Sequence, residues 1–173
     1  MEELRYPIGR FIAPQTIDDD QVRRWTAEIE ALPSELRSVV ETLDTTQLET
    51  PYRPGGWTAR QVVHHIADSH LNSLVRFKWA LTEDRPTIKT YYEDRWAALP
   101  DYTEVPVEVS LRLIEALHAR WVGFLRTLNS DDLDREFIHP DLGVVRLAEN
   151  LGIYAWHGKH HLEHIRIAAR AAQ

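Results

Sequence analysis

The chain has 173 residues, with 20 Lys plus Arg against 27 Asp plus Glu, a net charge of −7 with His neutral, and 43% hydrophobic against 27% charged residues. That balance predicts one soluble globular domain over residues 1–173 and excludes a disordered chain. The acidic excess excludes a general nucleic-acid partner, which needs basic charge to displace counterions from phosphates. With no Cys and nine His, disulfides, thiolate ligands and a Cys nucleophile are ruled out, so any metal must sit on His, Asp or Glu.

Residues 1–10 carry Glu2, Glu3, Arg5 and Arg10 and no apolar stretch, so they do not read as a signal peptide, and a cytoplasmic location is expected. No segment reaches the roughly 18 apolar residues of a membrane span, so no membrane partner is expected. Four segments have helical period and punctuation. A first helix is predicted from the Asp18, Asp19, Asp20 cluster to about Leu43, with Asp at its positive end and Pro33 set to kink or split it. The second starts after Gly55, Gly56 and Trp57, where Thr58 and Gln61 match a capping box, and runs to about Leu81.

Residues 82–105, punctuated by Pro86 and Pro100 and rich in aromatics, read as a long crossover. A third helix opens at Pro106 and runs through Leu128. A short helix capped by Ser130 should follow, and His139 to Gly143 signals a turn between two short extended pieces. The fourth helix spans about Leu147 to Ala172. The fold expected is all-α, a four-helix bundle with one long crossover connection.

Seven of the nine His fall on two helices: His64, His65 and His70 on the second, and His157, His160, His161 and His164 on the fourth. The last four share an arc of roughly 100°, because their spacings are three, four and seven. His160/His164 and His157/His161 each have the i,i+4 spacing that lets two imidazoles hold one ion. So many polar rings beside an apolar face would cost stability without a ligand or a hydrogen-bond network. On the second helix, Gln61, His65, Asp68 and Asn72 form a polar stripe, read either as a wet face or as the wall of a polar pocket. In the pocket reading His65 is a third ligand, with Asp68 or Asn72 supporting it. His64 points elsewhere and reads as packing. His160 to His164 also matches H-x-x-E-H, the inverted zinc-protease pattern; it is set aside because the chain is small for such an enzyme and offers no downstream ligand.

At these residues the sequence resembles the DinB-like superfamily, most closely its YfiT-like branch of metal-dependent hydrolases. The resemblance rests on Tyr6 to Gly9, on the run Pro51 to His70, on Arg76-Phe77-Lys78, on Leu117 to Trp121 and on Tyr154 to Ile165. It implies a four-helix bundle holding one divalent ion per subunit, zinc or nickel, on His65, His160 and His164, with His64, His157 and His161 as neighbours. It also implies homodimers. Tyr92 stands where relatives tend to have an Asp.

Three protein nitrogens leave a catalytic metal an open position, where a bound water can have its pKa lowered to around 7 for attack on an ester or amide of a small molecule. Asp68 could orient a ligand or take the proton. The same ion could ionise a low-molecular-weight thiol, and some relatives resemble S-transferases using bacillithiol; in a chain without Cys that thiol comes from outside. Binding of a metal or small ligand without turnover is the third expectation, and the fold alone does not choose among them.

Overall fold

The computed structural model describes residues 2–172. In chain order the helices are α1 (Glu2–Arg5), α2 (Asp19–Val40), α3 (Thr45–Leu48), α4 (Ala59–Thr82), α5 (Glu93–Trp96), α6 (Asp101–Glu104), α7 (Val107–Leu125), α8 (Ser130–Leu133) and α9 (Leu147–Ala171). A hairpin of β1 (Glu136–His139) and β2 (Gly143–Arg146) precedes α9, with Phe137 opposite Val145. The four long helices form the expected bundle: α2 and α4 each pack against both α7 and α9.

Local chemistry explains the boundaries. Asp18 accepts the Gln21 N–H at 2.7 Å and starts α2, where Asp19 and Asp20 face the positive helix end. Thr58 and Gln61 form the capping box of α4, with bonds of 3.2 and 2.9 Å. The short α8 is capped one residue earlier than its sequence suggests, by Asn129 reciprocated by Asp132. Pro33 does not split α2, which is continuous through it.

Two apolar clusters fill the bundle. One gathers Trp25 and Ile29 of α2, Phe77 of α4, Trp121 of α7 and Leu151 of α9. The other gathers Leu36 of α2, Val63 and Ile66 of α4, Ile114 of α7 and Ile165 of α9. Following each helix from one cluster to the other gives its direction: α2 and α9 run one way, α4 and α7 the opposite way. Because α4 and α7 are parallel neighbours, the chain between them must travel back along the bundle, which is why residues 83–106 form the longest crossover. This crossover is not structureless. It carries α5 and α6, and is pinned by Ile88 N–H donating to the Ile138 carbonyl at 3.0 Å and by Gln61 Nε2 donating to the Ala97 carbonyl at 2.9 Å.

The α2/α9 contact is set by glycine. A Cβ at Gly158 would lie 2.5 Å from Leu32 Cδ2, and one at Gly152 would lie 2.7 Å from the Trp25 ring. No helix among the described residues is long and apolar enough to cross a membrane.

Replacing Gly158 by Ala should therefore push on Leu32 and cost about 1–3 kcal/mol in urea denaturation. Gly123→Ala on α7, where a Cβ meets nothing within 4 Å, should be neutral or stabilise by up to about 1 kcal/mol.

Candidate metal centre

Between the two apolar clusters lies a layer of imidazoles. From α4 come His65 and His70, from α7 His118, and from α9 His157, His160, His161 and His164. One ring nitrogen each of His65, His157 and His161 lies within 4.8 Å of the others. His65 Nε2 and His157 Nε2 face each other at 3.2 Å, and the His157 and His161 ring centroids are 4.4 Å apart. A second group meeting the same criterion consists of His160, His161 and His164.

His160 and His164 do sit together, with ring centroids 4.3 Å apart. The structure nevertheless groups His65 with His157 and His161 rather than with that pair. Helix phase is the reason. His157 is turned toward α4 beside His70 and Tyr154. His160 and His164 are turned toward the N-terminal segment and the loop before α4, against Tyr6, Trp156 and Tyr52. The Tyr52 and His164 rings stack at 3.8 Å.

The other expected pocket residues diverge. Asp68 accepts the Tyr102 hydroxyl at 2.6 Å, and its carboxyl is raised above the usual range by burial, against the lowering effect of that bond. Asn72 donates to the Asp68 carbonyl at 2.9 Å. Neither lines the cavity over the imidazoles. His64 is buried and bonded to Ser110 Oγ at 2.7 Å, the packing role expected of it. His139 accepts the Asp141 and Leu142 N–H groups and shapes the hairpin turn.

That cavity, of about 320 Å³, has His65, His157 and His161 in its lining, with Tyr52, Arg53 and Trp57 from the loop before α4 and Glu93 and Asp94 from α5. Trp57 lies against His65, ring centroids 4.6 Å apart. Glu93 also lines a neighbouring cavity with Arg76. Desolvation raises its carboxyl above the usual range, helped by Asp94 and opposed by Arg76. Arg53, His70 and His118 lie in the runs that carry the family resemblance, but nothing in those runs assigned them a role, and only the aromatic richness of the crossover pointed toward Glu93.

The donor set suits a divalent ion. Burial first, then His160 and His164, lower His65 to about 3; burial also lowers His160 and His164 to about 4. Desolvation holds His157 and His161 well below their ordinary value. The rings are therefore neutral with lone pairs available near pH 7, the form a metal binds. Tetrahedral bonds of about 2.0–2.1 Å would separate ligand nitrogens by about 3.3 Å; His65 and His157 stand at 3.2 Å, and His161 brings a ring nitrogen within 4.8 Å of both. Apart from these ion-facing nitrogens, His160 Nδ1 and His164 Nε2 are buried without a hydrogen-bond partner on rings that line the cavity, a cost that a molecule bound in the cavity would relieve.

The fold and this layer define a four-helix-bundle protein with histidine groups able to hold a metal ion. A family model described as the DinB superfamily matches residues 21–165, and the chain belongs to that superfamily. It is 54% identical over 165 residues to a Bacillus cereus (strain AH820) protein named "Putative metal-dependent hydrolase", covering 95% of each chain. YfiT from Bacillus subtilis, described as "a probable metal-dependent hydrolase with an unusual four-helix bundle topology", superposes with a TM-score of 0.95 at 44% identity, over 98% of this chain and 97% of YfiT. The four-helix bundle protein TT2238, at 20% identity and a TM-score of 0.58 over 84% of this chain and 98% of its own, shares the fold.

Neutral burial sets a pH dependence. In the unfolded chain these imidazoles titrate near about 6.5, whereas folded His65, His118, His160 and His164 titrate at about 3 to 4. Below pH 6.5 the unfolded chain binds the extra protons, so stability falls as pH drops from about 6.5 toward 4 and is fully present above that window. The urea midpoint of metal-free protein should be flat from pH 7 to 8 and drop steeply between pH 6 and 4.

Proposed function

We propose that this chain is a metal-dependent hydrolase acting on a small molecule, with one divalent ion, zinc or nickel, held by His65, His157 and His161. The observation that carries this reading is the convergence of three neutral imidazoles from two helices on the lining of a cavity of about 320 Å³, a size that fits a small ligand and not a folded partner. Held by His65, His157 and His161, such an ion would keep a position free for substrate or water and would supply Lewis acidity there.

The chain's own residues complete the site. Glu93, its carboxyl raised by desolvation, is placed in the cavity lining to take or return a proton. Trp57 and Tyr52 exclude water from the imidazole layer and give a substrate an apolar wall. Arg53, with its buried Nε unpartnered, offers a donor to a substrate carbonyl or carboxylate. His160 and His164, carrying unpartnered buried nitrogens, serve this site as cavity-lining donors or acceptors.

Protein purified without chelator should hold one ion per chain by elemental analysis. His65→Ala, His157→Ala and His161→Ala should each lose most of it, while His160→Ala and His164→Ala keep it. Loss in the last two with retention in His157→Ala would move the ion to the i,i+4 pair. Metal-dependent turnover within a panel of esters, lactones and amides would support hydrolysis. No turnover there, with metal-dependent conjugation of an added low-molecular-weight thiol such as bacillithiol to a chloro-nitroaromatic, would replace it by S-transfer. Inactivity in both assays would leave a metal-binding bundle.

A further inference from the structure

His70 and His118 are not ligands in this reading, yet both are almost fully buried, His70 at 0% and His118 at 1% exposure. They lie in one line of hydrogen bonds. His118 Nδ1 is 2.6 Å from the Ile29 carbonyl, His118 Nε2 is 2.9 Å from His70 Nδ1, and His70 Nε2 is 3.1 Å from His157 Nδ1. At the near end, His157 Nε2 faces His65. Trp121 stands edge-on to both middle rings, centroids 5.9 Å away, and Tyr154 edge-on to His70 at 5.2 Å.

The far end has a cause in the sequence. In a helix the Ile29 carbonyl would accept the N–H of residue 33, and residue 33 is Pro, which has none. Pro33 thus leaves a buried acceptor in the middle of α2, and His118 satisfies it. A carbonyl only accepts, so His118 Nδ1 carries hydrogen. Among the described residues the one His–carboxylate contact within 4.0 Å is His139 with Asp141, so no counter-charge stabilises a second proton on His118 or His70. Each is neutral and has a single N–H. His118 Nε2 is then bare and accepts from His70 Nδ1–H; His70 Nε2 is bare and accepts from His157 Nδ1–H.

We propose that Pro33, the Ile29 carbonyl, His118 and His70 act as a positioning relay that fixes His157 as its Nδ1–H tautomer, leaving Nε2 bare and aimed at His65 for the ion. The proposal rests on the reading that His157 is a ligand. Backbone carbonyls and carboxylates commonly orient ligand histidines directly; here two further imidazoles carry the same instruction across the bundle from α2 through α7 and α4 to α9.

The test reads tautomers in metal-free protein, where the ligand assignment plays no part. Long-range ¹H–¹⁵N spectra of ¹⁵N-labelled apoprotein above pH 7 should show His118, His70 and His157 all protonated at Nδ1. Protonation of His157 at Nε2 would overturn the relay. In His118→Phe, which keeps the ring and removes both nitrogens, His157 should show a mixture of tautomers, and zinc affinity by chelator competition should fall about 10–100-fold. His118→Gln, whose side-chain amide can both donate and accept, should recover most of that affinity. An unchanged His157 tautomer and unchanged affinity in a folded His118→Phe would also overturn it; if that variant does not fold, the wild-type spectrum alone decides. The expected tautomers together with full metal retention in His157→Ala would leave the relay standing and remove the ligand reading.

Discussion

Burying imidazoles without charging them is the constraint on which the rest of this structure depends. A neutral ring has one N–H and one lone pair, and each costs free energy inside a protein unless it meets a partner. The bundle answers by stacking its polar groups in one layer between two apolar clusters, where the rings can pair across helices. The nitrogens still unpartnered on His65, His160 and His164 belong to rings that line the cavity, so the unmet demand is concentrated where a ligand can meet it.

The topology serves the same layer. With α2 and α4 on opposite corners, each of α7 and α9 touches both, so one cross-section draws imidazoles from α4, α7 and α9 and a backbone carbonyl from α2. The crossover demanded by the parallel α4/α7 pair returns past the open side of the layer and brings Glu93 and Asp94 to the cavity. Gln61 links the two tasks: its side chain closes the capping box of α4 and also holds the crossover through the Ala97 carbonyl. A residue legible as helix punctuation and as one end of a polar stripe thus holds the crossover beside the cavity.

Much of the bundle was legible because periodicity and caps are local. The four long helices, the α4 capping box and the hairpin turn all follow from residues within a few positions of one another. The His157 to His164 stripe was legible for the same reason. Its absolute phase was not: an arc of spacing three and four says which rings lie together, and not which of them turns toward α4. Hence spacing marked His160/His164 and His157/His161 alike and the resemblance selected the first pair, while in the structure it is His157 and His161 that group with His65. Asp68 shares the helical stripe of His65, and a tyrosine thirty-four positions away, Tyr102, claims its carboxylate. His70 and His118, forty-eight positions apart, carry no spacing signal at all. Pro33 reads as a helix breaker because its missing N–H is visible in sequence, whereas the use made of the carbonyl it releases depends on α7 lying alongside.

His65 and His157 are separated by 92 positions, with the crossover, α7 and the hairpin between them. Closing so long a loop costs chain entropy that only the docked bundle repays. Residues emerge from the ribosome in order, so a chain with α4 synthesised and α9 still to come has one of the three proposed ligands and no layer to hold it. On the proposed ligand set, metal capture would therefore be an event of the finished bundle, a seal on folding rather than a template for it.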